Sequence, residues 1–141
     1  MTAPLALVDT NVVVSGVLTS TKGAATAVIV DGMLSARFPF VLSEDLLVEY
    51  RAVLCRPAIR RLHGLSPGEV DTILEDIVRN GRLRDVLPVP EIRRSREDEH
   101  ILRLLETAPR PILVTGDQAL RRKLTSPARS CAPRDFVAML E

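Results

Sequence analysis

The chain has 141 residues, enough for one domain with its own core, and 46% of them are apolar, which excludes a disordered chain. Aromatics make up only 3%, so the core is expected to be aliphatic, and nucleic-acid binding by base stacking is disfavoured. The net charge of +1 excludes an all-basic glove for nucleic acid.

In chain order, Leu5-Ala6-Leu7-Val8 is a short apolar run ending at Asp9, the pattern of a buried parallel strand. Residues 11–18 are apolar and small, and a Ser/Thr/Lys/Gly turn follows at 19–23. A helix is expected over 24–35 and a second strand over 38–42, with Pro39 near its start or on an edge. Ser43 is a good N-cap, and the helix it opens should end before Pro57.

Ser66-Pro67 opens another helix, which Asn80-Gly81 stops. Residues 82–89 resemble a third strand, 97–107 a helix, and 112–115 a fourth strand running into Gly116-Asp117. A short helix over 120–124, a small strand at Ser130-Cys131 and a helix from Pro133 to Leu140 complete the chain. Strands alternating with helices imply a single three-layer α/β/α domain over 1–141, with a mostly parallel sheet of four or five strands. Strands one and four should be neighbours.

Two cysteines make neither a disulfide framework nor a zinc set, and Cys55 reads as packing. Neither a signal peptide nor a membrane span is expected, which points to a reduced cytoplasmic protein. Seventeen of the nineteen cations are Arg, clustered at Arg60-Arg61, Arg93-Arg94-Ser95-Arg96 and Arg121-Arg122-Lys123. Such forks suit phosphate oxygens, although the same clusters also read as a solvated surface.

The carboxylates carry the chemistry. Ligands in an open α/β sheet sit beyond the carboxyl ends of strands, where Asp9 and Asp117 fall. Glu49 lies three residues after Leu46 and four before Val53, inside an apolar helical stripe where a lone acid is costly. Asp98 precedes Ile101, Leu102 and Leu105 by three, four and seven residues, so it heads an apolar face, whereas Glu97 and Glu99 fall on mixed faces. Four such acids in one crevice need a hard cation, Mg²⁺ or Mn²⁺, and a Mg²⁺ crevice implies phosphodiester chemistry. His63 and His100 stand alone and are expected at the surface.

These residues resemble the PIN-domain family. Val8-Asp9-Thr10-Asn11-Val12 is similar to its opening motif, Ser43 to Tyr50 to its second with the acid at Glu49, Glu97 to Leu102 to its third, and Val114-Thr115-Gly116-Asp117 to its fourth. Ala132 to Val137 resembles the closing segment of a subgroup of toxin components of toxin–antitoxin modules. That subgroup usually begins its third motif with Asp-Pro, where this chain has Ser95-Arg96, so whether Glu97 or Glu99 shares the metal role of Asp98 stays open.

The resemblance implies an endoribonuclease for single-stranded RNA that uses Mg²⁺ or Mn²⁺. Asp9, Glu49, Asp98 and Asp117 would be the metal ligands, and Asn11 and Thr115 would position a carboxylate, water or phosphate. It also implies a homodimer and silencing by an antitoxin protein. The alternative is a catalytically inactive PIN-fold module that binds RNA or a protein partner. A dehalogenase-like phosphatase needs a second Asp where Asn11 stands, and a receiver-like domain needs a Lys placed otherwise than Lys123.

Overall fold

Strand β1 (Ala6–Val8) has no solvent exposure at any of its three residues. The chain is described here from a computed structural model covering residues 3–86, 98–124 and 129–141. After β1 come α1 (Thr10–Leu18), α2 (Ala25–Leu34), β2 (Val41–Leu42), α3 (Glu44–Leu54), α4 (Pro57–His63), α5 (Pro67–Asn80) and β3 (Arg82–Leu83). Then follow α6 (Glu99–Leu105), β4 (Ile112–Val114), α7 (Gln118–Arg122), β5 (Ser130–Cys131) and α8 (Pro133–Leu140).

Among the described residues all strand pairs are parallel: β1 on β4, β4 on β5, and β2 on β3. A parallel bridge between Ala6 and Phe40 joins the two groups into the order β3-β2-β1-β4-β5. Strands one and four are therefore neighbours, with Val8 opposite Val114. The winding reverses at the β1/β4 boundary, so right-handed crossovers lay helices on both faces and leave a crevice at that boundary. The result is a three-layer α/β/α domain with a parallel sheet.

Local chemistry sets the helix starts at this edge. Asp9, Ser43 and Asp117 are the N-caps of α1, α3 and α7, each accepting a backbone N–H through its side chain. Ser66 and Glu69 form a reciprocal capping box on α5, with Pro67 in the first turn. The core is mainly aliphatic, but it also takes every aromatic of the chain: Tyr50, Phe40 and Phe136 are fully buried and Phe38 nearly so. Phe38 meets Phe136 edge-on at 5.0 Å, tying α8 to the chain just before β2.

Three details differ from the sequence reading. Helix α4 was not anticipated: none of its residues is buried, so it carries no apolar period, yet Pro57 starts it and Gly64 in the left-handed conformation (φ 71°) ends it. Strand β3 is confined to Arg82–Leu83, and residues 87–89 of the expected strand lie outside the described residues. His63 is partly buried rather than a surface residue: its Nδ1 accepts from Leu65 N at 2.9 Å and its Nε2 faces Leu54 O at 2.8 Å. That pattern requires the neutral Nε2–H tautomer and makes His63 a clasp for the α4 turn.

Candidate active site

Asp9 follows β1 directly, and its backbone N–H donates to Val114 O at 3.0 Å, carrying the β1–β4 pairing one residue further. Its side chain is 7% exposed. Oδ1 accepts from Thr10 N at 2.8 Å, and Oδ2 accepts from the Thr115 hydroxyl at 2.7 Å. The same hydroxyl accepts from Asp117 N at 3.0 Å, so one fully buried threonine links the ends of both strands. Asp117 in turn caps α7 through Leu120 N at 3.1 Å.

Burial is the largest influence on Asp9 and pushes its carboxyl above the ordinary carboxylate range. Hydrogen bonds from Thr115 and Thr10 oppose that shift, and the negative charges of Glu49 and Asp117 add to it. The field of Asp9 and Glu49 also reaches Tyr50, whose phenol is pushed well above its usual value, first by complete burial. Tyr50 donates its hydroxyl to Val8 O and so pins α3 to the end of β1, one residue before Asp9.

Glu49 is half-buried on α3, at the edge of the stripe formed by Leu46, Tyr50 and Leu54. Its nearest partner is His100, whose Nε2 lies 2.6 Å from Glu49 Oε2. His100 is 15% exposed rather than at the surface, which corrects the sequence expectation. Its position four residues before the buried Leu104 was the signal available for an inward side chain.

Asp98 has an ion-pair partner of its own. It precedes the first residue of α6 as the N-cap, and its Oδ2 pairs with Lys123 Nζ at 2.7 Å. Glu99 is within 3.6 Å of Arg103, and Glu97 lies outside the described residues. Asn11 is exposed on the first turn of α1.

Among the described residues, no group of three or more His, Cys, Asp and Glu side chains is arranged to hold a metal ion. The donor set still fits a hard cation. Mg²⁺ is commonly held by one or two carboxylates together with waters and substrate phosphates. Asp9 sits in the fields of two further carboxylates, and two buried oxygens, Glu49 Oε2 and Thr10 Oγ1, have no hydrogen-bond partner. A cation would answer the mutual repulsion of these carboxylates.

No helix among the described residues is long and apolar enough to cross a membrane, and Cys55 and Cys131 are free thiols. Comparison with curated proteins and with solved structures finds no match. The sequence model of the PIN domain matches residues 6–119, which contain the ends of β1 and β4 and all of α3, and the chain belongs to the PIN-domain family.

Proposed function

We propose that the chain is a metal-dependent endoribonuclease that cleaves single-stranded RNA, acting as the toxin of a toxin–antitoxin module. PIN domains are generally metal-dependent nucleases, which supplies the reaction class. The observation that carries the reading is the state of Asp9: buried at the β1/β4 crevice, held by Thr115, and under the charge of Glu49 and Asp117.

Asp9, Glu49 and Asp117 would hold Mg²⁺ or Mn²⁺, with Asp98 joining them on release from Lys123. The bound ion makes a coordinated water more acidic and stabilises the charge developing on the leaving 3′ oxygen. The chain's own part is positional. Thr115 fixes the Asp9 carboxylate, and Tyr50 fixes the strand end that carries it. Asn11, exposed on the first turn of α1, offers an amide to a phosphate or water. Arg121 and Arg122 line a shallow cleft of about 240 Å³ with Gln118 and Ser130, just beyond Asp117. Their forks suit the flanking phosphates of the RNA. Every aromatic side chain is buried, so recognition falls to phosphate contacts rather than to stacking.

The same reading includes a homodimer, an antitoxin partner and a cytoplasmic setting. Exposed Val48 and Val78 beside Leu47 and Leu74 supply apolar surface for a partner, and two free thiols suit a reducing compartment.

A second reading, a PIN-fold module that binds RNA or protein without cutting, is favoured by one observation: Asp98 is occupied by Lys123. RNA binding in EDTA and in Mn²⁺ separates the two. The wild-type nuclease should bind an uncleavable RNA analogue more tightly with metal than in EDTA. The binding module should be indifferent to EDTA. Induced expression in a bacterial host tests the toxin role: growth should stop with the wild type and continue with Asp9→Asn.

A further inference from the structure

Helix α4 gives nothing to the core, since none of its residues is buried. What it carries is charge. Arg56 caps it, Arg60 stands four residues on along the same face, and Arg61 lies beside Arg60; all three are exposed. The helix itself contains no acid. Arg51 and Arg79, also exposed, pair with Asp71 and Asp76, whereas among the described residues Arg56, Arg60 and Arg61 have no acid partner. Arg61 engages only its Nε, which donates to Pro57 O at 3.4 Å.

Arg60 and Arg61 line an open cleft of about 530 Å³ together with Ser66 and Glu69. Glu69, the acid of that lining, is already engaged: its Oε1 accepts from Ser66 N at 3.1 Å in the capping box of α5. Three neighbouring guanidinium groups repel one another, and their forks match phosphate oxygens.

The position of α4 favours a nucleic-acid strand over an acidic protein. The helix packs on α1 and α3, the two helices that start at the carboxylate crevice. From Glu49 to Leu54, α3 rises only ~8 Å. There His63 Nε2 meets Leu54 O at 2.8 Å and joins α4 to α3, so the arginines begin where that run ends. We propose that Arg56, Arg60 and Arg61 form a second phosphate-binding surface, which holds the backbone of the RNA strand beyond the crevice. This rests on RNA as the ligand and adds to that reading where the strand runs.

The test is binding of uncleavable RNA analogues, ~4 and ~16 nucleotides long, to the full chain over a range of salt concentrations. Each phosphate neutralised on a single strand contributes ~0.7 to the slope of log affinity against log salt. The triple variant Arg56→Gln, Arg60→Gln, Arg61→Gln should therefore lower the slope for the longer RNA by ~2, so a fourfold rise in salt costs the wild type ~20-fold more affinity than the variant. The shorter RNA should bind both proteins alike. The difference should be the same in EDTA and in Mn²⁺, because α4 offers no carboxylate to a metal. A control with the same loss of charge, Arg37→Gln, Arg79→Gln, Arg110→Gln, should keep the wild-type slope.

A wild-type slope in the α4 variant, or an equal loss in the control, would overturn this surface and leave RNA binding at the crevice standing. A triple variant that loses affinity for polyglutamate but not for RNA would assign α4 to an acidic protein partner and overturn it too. A wild type that binds neither RNA in EDTA or Mn²⁺ would overturn RNA as the ligand and the α4 surface together. If the triple variant does not fold, Arg60→Gln alone should still lower the slope by ~0.7, and an unchanged slope there would overturn the proposal.

Discussion

The Thr115 hydroxyl donates to Asp9 Oδ2 at 2.7 Å, joining residues 106 positions apart in the chain. The contact exists because β1 and β4 pair in register, so that the residues following Val8 and Val114 emerge together at one sheet edge. The hydroxyl also receives Asp117 N, and the three residues behave as one unit.

Thr115→Val keeps the shape and removes that hydroxyl. It leaves Asp9 Oδ2 and Asp117 N without this partner, at a stability cost of ~1–3 kcal/mol. It also removes the larger of the two hydrogen bonds that hold the Asp9 pKa down, so the pKa should rise further. If ionised Asp9 is needed for turnover, the acid limb of the pH–rate profile moves to higher pH than in the wild type. A pH–rate profile in Mn²⁺ for both proteins checks this.

Asp9→Asn should melt higher than the wild type in EDTA at neutral pH. The folded pKa of Asp9 is raised above the unfolded value of 3.8, so as pH climbs past 3.8 the unfolded chain ionises first. Stability contributed by the protonated form is complete below 3.8 and is lost as pH rises through the folded pKa. The variant escapes that loss, so its advantage should vanish toward pH 3. Added Mg²⁺ or Mn²⁺ should reverse the order by stabilising the wild type alone. Melting curves across pH, with and without metal, decide the point.

The placement of the candidate acids was legible in part in the sequence. Asp9 and Asp117 were legible because each ends an apolar run, and Glu49 because it interrupts an apolar helical stripe. Asp98 was ranked by helical phase; it stands as the N-cap of α6, and its pairing with Lys123, 25 residues on, is a contact that no periodicity encodes. His100 was assigned to the surface because its partner, Glu49, sits 51 residues earlier, and no periodicity encodes that meeting. The bond from the Tyr50 hydroxyl to Val8 O depends on how α3 docks against β1, which no local pattern encodes.

Tyr50 is the only tyrosine, and there is no tryptophan, so phenolate absorbance reports one residue at the edge of the site. Its folded pKa is raised well above 10.0, first by burial and then by Asp9 and Glu49. Stability from the neutral phenol is complete below 10.0 and is lost as pH rises toward the folded value. Phenolate absorbance should therefore appear together with alkaline unfolding rather than before it. Tyr50→Phe should cost ~1–3 kcal/mol by leaving the Val8 carbonyl without this donor. An alkaline absorbance titration alongside circular dichroism checks the first point, and urea melts check the second.

Gly16 on α1 packs tightly against α2. A Cβ there would lie 2.3 Å from Val30 Cγ2 and 2.5 Å from the Thr26 carbonyl oxygen. The carbonyl is backbone and cannot turn aside. Gly16→Ala should cost ~1–3 kcal/mol, the usual range for overpacking, and lower the melting temperature by several degrees. Metal binding per folded molecule should be unchanged, because Gly16 lies two turns along α1 from Asp9. Thermal melts and a metal titration of the folded fraction check both halves.

The central claim is tested most directly by cleavage of an end-labelled single-stranded RNA as Mn²⁺ is titrated into EDTA-stripped protein, with Asp9→Asn run in parallel. Cleavage should rise with Mn²⁺ in the wild type and be at least ~100-fold slower in the variant, since loss of a ligand should exceed the 10–100-fold cost of losing a supporting residue. Intact RNA at saturating Mn²⁺ and Mg²⁺, or an Asp9→Asn protein that cuts as fast as the wild type, would contradict the account.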